Sequence, residues 1–179
     1  AVEIEKRFSK FGEYQSYVNT TIDNIVEHAY NAEVILTNKA ELKAEHFKLL
    51  PNLKYVIVIA TGYDCVDVKA AAGLGIPISN VPGYCSETVA QHSIALLLEL
   101  TNKVGKSSNL VKYEHKWLGL KPHNIELSGL VMGVVGFGDI ARRVIIIALA
   151  LGMQVLVHSR RSTYTTDLPV KFVSRNELF

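Results

Sequence analysis

Leu130-Val-Met-Gly-Val-Val-Gly136-Phe137-Gly138-Asp139-Ile140-Ala141 is the stretch whose reading decides the fold. An apolar run ends in G-x-G-x-x-A, and a helix is expected from Asp139 to Leu151. Gly152 then precedes a second β-rich run at 154–157. In the dinucleotide-binding fingerprint the first glycine permits a tight turn, and the second lets a pyrophosphate approach the backbone. The third small residue lets helix and strand pack closely. Phosphate is held there because unpaired backbone N–H groups coincide with the positive end of the helix dipole. A bare glycine triplet would fit a turn in any α/β fold. The strand before it, the helix after it and the second strand at the right distance make it specific. Gly136, Phe137, Gly138, Asp139 and Ile140 are the expected phosphate turn. Asp139 adds a carboxylate that suits the helix dipole, with its side chain toward solvent and its N–H serving the phosphate.

The end of the second strand sets the choice of dinucleotide, because an acid there binds the ribose hydroxyls of NAD. This chain reads Val157-His158-Ser159-Arg160-Arg161, with no acid. Ser159 removes the repulsion that a carboxylate would exert on a 2′-phosphate. Arg160 and Arg161 offer rigid guanidinium forks suited to phosphate oxygens. The expectation is NADP(H) preferred, with NAD(H) possible, since Ser159 can also donate to a ribose hydroxyl. His158 either stacks on an adenosine or fills space.

Outward from this unit, β-rich runs at 13–18, 34–37, 55–60, 77–80 and 171–173 alternate with helical stretches. One helical stretch opens at Thr21 and carries Ile22, Ile25, Val26 and Ala29 on one face; another spans 41–50 and is stopped by Pro51. A third covers 2–10. Strands alternating with short helices predict βαβ units and parallel sheets. The continuously apolar runs 56–59 and 131–135 are expected to be buried on both faces. After Asn80-Val81-Pro82-Gly83 the rhythm changes to two successive helices, 86–102 and about 103–117, an interdomain crossing or an arm for another subunit. The boundary is placed near Val81, giving two domains at 1–81 and 82–179.

Composition bounds the function. The chain has 179 residues, 49% hydrophobic and 20% charged, with a formal net charge of +2, which excludes disordered and collagenous classes. Basic and acidic residues are interspersed, so no basic stripe points to nucleic acid. The longest apolar run, 144–152, is shorter than the roughly 20 residues of a membrane span. The two cysteines, Cys65 and Cys85, cannot form a disulfide scaffold and fit a reducing, cytoplasmic setting. Neither has a zinc spacing with His28, His46, His92, His115 or His123, and no metal is expected.

Three separated segments, ATGYDCVDVKAA (60–71), GIPISNVPGYCSETVAQHSIALLLE (75–99) and ELSGLVMGVVGFGDIARR (126–143), resemble the D-isomer-specific 2-hydroxyacid dehydrogenases. Within that family the resemblance is closest to the glycerate dehydrogenases, also called hydroxypyruvate or glyoxylate reductases. It implies two doubly wound parallel-sheet domains, a flavodoxin-like substrate domain and a Rossmann nucleotide domain. It also implies reduction of a small 2-keto acid with a nicotinamide cofactor, and a homodimer whose arm is 86–117. Carried over residue by residue, Thr61 and Gly62 match the loop whose amides hold the substrate carboxylate. Gly138, Asp139 and Ile140 match the pyrophosphate turn, and Ser159, Arg160 and Arg161 the adenosine-ribose segment.

Two departures accompany the resemblance. The family's catalytic Arg, Glu and His belong to the second half of its nucleotide domain, and no residue up to Phe179 matches them. The family also opens with a strand before its first helix, whereas this chain opens at that helix, so both domains are expected to be incomplete. A non-catalytic relative that senses dinucleotide, as corepressors of this fold do, is the alternative; an Arg, a Glu and a His downstream would favour the enzyme.

Overall fold

The computed structural model describes residues 2–117, 124–161 and 165–179. It divides into two compact units, Ala1–Pro82 and Gly83–Phe179. His123 falls outside the described residues.

In the first unit β2 (Tyr55–Val58) lies between β1 (Val34–Thr37) and β3 (Ile78–Asn80), and all three strands run parallel. Val56 and Val58 are fully buried, while Tyr55 and Ile57 are half-buried and Ile59, past the strand's end, is exposed, so the run expected to be buried on both faces is so only on the side of Val56 and Val58. Helices α2 (Ile25–Ala29), α3 (Ala44–Lys48) and α4 (Val68–Gly73) bring Ile25, Phe47 and Ala71 to this core, where Leu42, Leu50, Leu53 and Val66 join them. Burying each large aliphatic side chain contributes about 1.5–3 kcal/mol. Helix α1 (Val2–Phe8) and a 3₁₀ turn, Ser9–Phe11, precede the sheet.

Sequence periodicity overreaches in three places here. Residues 13–18 form no strand. An isolated extended segment is not stable without a paired neighbour, and the described residues offer it none; instead Tyr17 stacks on His28 at 3.7 Å and 7°. The helix expected from Thr21 begins at Ile25, because Asn24 Oδ1 accepts from Thr21 N at 2.8 Å and makes a turn. Helix α3 begins at Ala44 rather than 41 because Leu42 is bonded elsewhere: its N–H donates to Cys65 O and its carbonyl accepts from Asp67 N, both at 2.8 Å. Asp67 in turn caps α4 by accepting from Ala70 N at 3.0 Å.

In the second unit β5 (Gln154–His158) lies between β4 (Val131–Val135) and β6 (Lys171–Phe172), again all parallel. Helix α5 (Ser86–Asn102) packs against α7 (Asp139–Ala150), while α6 (Val104–Glu114) follows α5 directly and buries no residue. Lys103 joins the two with φ 53°, and Glu99 accepts from Gly105 N at the start of α6. The core gathers Leu127, Phe137, Ile145, Ala148, Met153, Val155 and Val157, with Leu97 and Leu98 of α5 packed on it. Gly152 has φ +78°, and a Cβ there would stand 2.8 Å from Ser128 Oγ, so the turn into β5 requires glycine. A short helix, α8 (Arg175–Leu178), contacts β5.

Contrary to expectation, β4 is not buried on both faces: Val131 is 54% and Val135 67% exposed. A parallel sheet is dry only where helices cover both sides. On one side Met132 and Val134 of β4 pack on the core to which α7 brings Ile145 and Ala148. On the other the described residues supply Leu178 of α8, whose Cδ1 lies 3.2 Å from where a Gly133 Cβ would be. No helix among the described residues is long and apolar enough to cross a membrane.

Candidate functional site

The glycine turn sits at the C-terminal end of the β4–β5 pair. Val135 pairs with His158, and Gly136 N then donates to His158 O at 2.7 Å. Gly136 turns the chain with φ +97°, a backbone region that disfavours any Cβ. Gly138 caps α7 in extended conformation, and the first helical bond runs from Arg142 N to Gly138 O at 3.0 Å. The N–H groups of Asp139, Ile140 and Ala141 precede that bond at the start of a helix, where intrahelical partners do not exist. A Cβ at Gly136 or Gly138 would meet no atom within 4 Å, so the turn leaves open the space a pyrophosphate needs. These residues therefore fit a dinucleotide. The Phe137 side chain packs inward from the turn. Its ring is buried, meets Phe172 edge-on at 5.1 Å, and lies 4.2 Å beneath the Arg142 guanidinium.

At the end of β5, His158 Nδ1 lies 3.2 Å from Val173 O, which ties its ring to the end of β6. Ser159 is half-buried, and Arg160 and Arg161 are exposed. Beside the start of α7 a hollow of about 560 Å³ is lined by Ser86, Glu87, Asp139, Arg142, Arg143 and Thr166, among others. The Asp139 carboxylate thus shares this hollow with two arginines, and Arg143 Nε pairs with Glu87 Oε1 at 2.9 Å. Sequence reasoning passed over Arg142 and Arg143; their spacing of three and four residues from Asp139 puts all three on one helical face.

In the first unit Thr61 and Gly62 follow β2 at the carboxyl end of its sheet, where ligands of open α/β sheets bind. Both are exposed. Thr61 Oγ1 donates to Val81 O at 3.1 Å, Asn80 Nδ2 donates to Thr61 O at 2.8 Å, and Val81 N donates to Ala60 O at 3.0 Å. Asn80 also lines a small hollow of about 130 Å³ with Tyr63, Val68, Ile78 and Ser79. Sequence reasoning did not single out Asn80.

Two of the histidines have structural partners. His46 is buried, and its Nδ1 accepts from Lys43 N at 3.0 Å; Thr20 Oγ1 bonds His28 Nδ1 at 3.1 Å. Cys65 and Cys85 are half-buried and carry no disulfide. Among the described residues no cluster of three His, Cys, Asp or Glu side chains could hold a metal.

Comparison with known proteins agrees with this geometry. The family model described as D-isomer specific 2-hydroxyacid dehydrogenase, catalytic domain, matches residues 2–174. A hydroxypyruvate reductase of Blautia hydrogenotrophica is 39% identical over 144 residues, 78% of this chain and 45% of the relative. A glycerate dehydrogenase of Methylorubrum extorquens is 34% identical over 151 residues, 80% of this chain and 48% of the relative. The crystal structure of a D-lactate dehydrogenase from Aquifex aeolicus, complexed with NAD and lactic acid, superposes with a TM-score of 0.86 at 27% identity. That match covers 99% of this chain and 54% of the other. The chain spans about half the length of the curated relatives it matches. A glycine turn between paired parallel strands, inside a match running from residue 2 to residue 174, places the chain in the D-isomer-specific 2-hydroxyacid dehydrogenase family.

Proposed function

We propose that the protein to which this chain belongs reduces a small 2-keto acid, hydroxypyruvate or glyoxylate, to D-glycerate or glycolate. The observation that carries this reading is the open Gly136–Gly138 turn at the head of α7, in a chain 39% identical to a hydroxypyruvate reductase. The turn and the first N–H groups of α7 hold the pyrophosphate. When bound, the nicotinamide cofactor supplies the reducing hydride. Thr61 and Gly62 hold the substrate carboxylate through their backbone amides. No residue among these 179 is proposed as the proton donor, its carboxylate partner or the orienting arginine.

NADPH is the proposed preference, supported by Ser159, Arg160 and Arg161 at the end of β5 and by the absence of an acid among them. The assembly is proposed to be a homodimer working in the cytoplasm, the latter supported by two cysteines without a disulfide.

The test is steady-state turnover by the full-length protein with hydroxypyruvate, glyoxylate and pyruvate, each with NADPH and NADH. The expected result is highest kcat/KM on hydroxypyruvate or glyoxylate with NADPH. No turnover of either acid would refute the reading, and a higher kcat/KM on pyruvate would refute the substrate.

A further inference from the structure

Two consecutive carbonyls at the end of β2 are held from the same side. Ala60 O accepts from Val81 N at 3.0 Å, and Thr61 O accepts from Asn80 Nδ2 at 2.8 Å. In a regular strand successive carbonyls alternate in direction; here both are drawn to the end of β3. Carbonyl and N–H of a trans peptide point oppositely. The N–H groups of Thr61 and Gly62 are therefore both turned away from β3. Successive N–H groups facing one way make a concave site that favours an anion.

The two holds differ in kind. The one on Ala60 is backbone to backbone and extends the β2–β3 ladder, so no side chain can be changed to remove it. The one on Thr61 comes from a single side-chain amide. Thr61 Oγ1 also donates to Val81 O at 3.1 Å, so the loop stays tethered to β3 without Asn80. What it loses is the orientation of one peptide plane.

We propose that Asn80 is a positioning residue, whose side-chain amide aims the Gly62 N–H at the carboxylate of the keto acid. This rests on the reading of Thr61 and Gly62 as the carboxylate loop. Carboxylate binding is shared by ground and transition states, so its loss raises KM and leaves kcat nearly unchanged.

The experiment compares full-length wild type with Asn80→Ala and with Asn80→Asp, which keeps the shape but loses the donor. The readouts are KM and kcat for hydroxypyruvate and the dissociation constant of NADPH by fluorescence titration. Removing one hydrogen bond is expected to raise KM about five- to tenfold, with kcat within about twofold and NADPH affinity unchanged. An unchanged KM in both variants overturns the inference. So does a KM rise matched by an equal loss of NADPH affinity, since that marks general damage rather than positioning. Gly62→Pro, which deletes the N–H itself, separates the two readings. If it raises KM with NADPH affinity intact while Asn80→Ala does not, Asn80's role alone falls. If it leaves KM unchanged, the carboxylate loop itself is wrongly placed.

Discussion

In the proposed cofactor site Ser159 takes the position of a carboxylate that would accept from a ribose hydroxyl, and the two residues after it are exposed arginines. A hydrogen bond to a charged group is worth about 1.5–3 kcal/mol, so one well-placed guanidinium would give the proposed preference a factor of ten or more. Arg160→Ala or Arg161→Ala is expected to weaken NADPH binding about tenfold, with NADH affinity changed little. Fluorescence titration of both reduced cofactors checks it. Tighter NADH than NADPH binding by the unmodified protein would refute the preference, and unaltered NADPH binding in both variants would refute its cause. Their place at the end of β5 was legible because they sit in tandem after a strand that the glycine turn locates. Gly136 was legible for a similar reason: its torsion is a local demand that only glycine meets easily. Asn80 was not. Its partner Thr61 is 19 residues away, and only the pairing of β2 with β3 brings the two together. Phe137 fell between these cases, since its place in the turn was readable but the burial of its ring against Phe172 was not.

Helix α8 has four residues and no periodicity to read, yet it begins with a reciprocal cap. Ser174 N donates to Glu177 Oε2 at 2.9 Å, and Glu177 N donates to Ser174 Oγ at 3.3 Å. The backbone and hydroxyl of Ser174 hold the Glu177 carboxyl below its ordinary value of 4.5, with Lys171 adding a smaller contribution. A carboxyl held lower in the folded state contributes stability that is present above its unfolded pKa and lost as pH falls through the folded one. Protection of the Ser174 amide, its exchange rate relative to the intrinsic rate at the same pH, is therefore expected to hold above about pH 4.5 and to be lost progressively below it. In Glu177→Gln that pH step should vanish; its persistence would assign the step to another group. Elements failed to follow from sequence where pairing decided them. Residues 13–18 have β composition but no described partner, and the apolar β4 keeps Val131 and Val135 exposed because its second face is thinly covered. The six-residue α4 is too short for an apolar period, and its Asp67 cap becomes evident only beside the Leu42–Val66 bridge.

Each unit carries its own parallel sheet and its own core, so the exposed apolar residues that remain are the guide to assembly. The consecutive helices α5 and α6 and the segment after them hold Leu96, Leu100, Val104, Val111, Tyr113 and Trp117, each more than half exposed. Scattered apolar residues need no explanation, but such a run along two consecutive helices is the surface that the proposed homodimer would cover. Leu97 and Leu98 belong to a different set, since they pack on the core of the second unit. The two sets predict opposite outcomes. In the full-length protein, Leu100→Glu combined with Trp117→Ala should convert a two-fold dimer to a folded monomer, because it removes apolar area only from the outer face. Leu97→Glu should instead lower the melting temperature, because it sets a charge against the core. Sedimentation equilibrium and thermal melts on the same samples separate these effects. A folded monomer for the unmodified protein would refute the interface, and an intact dimer in the double variant would move it to another face.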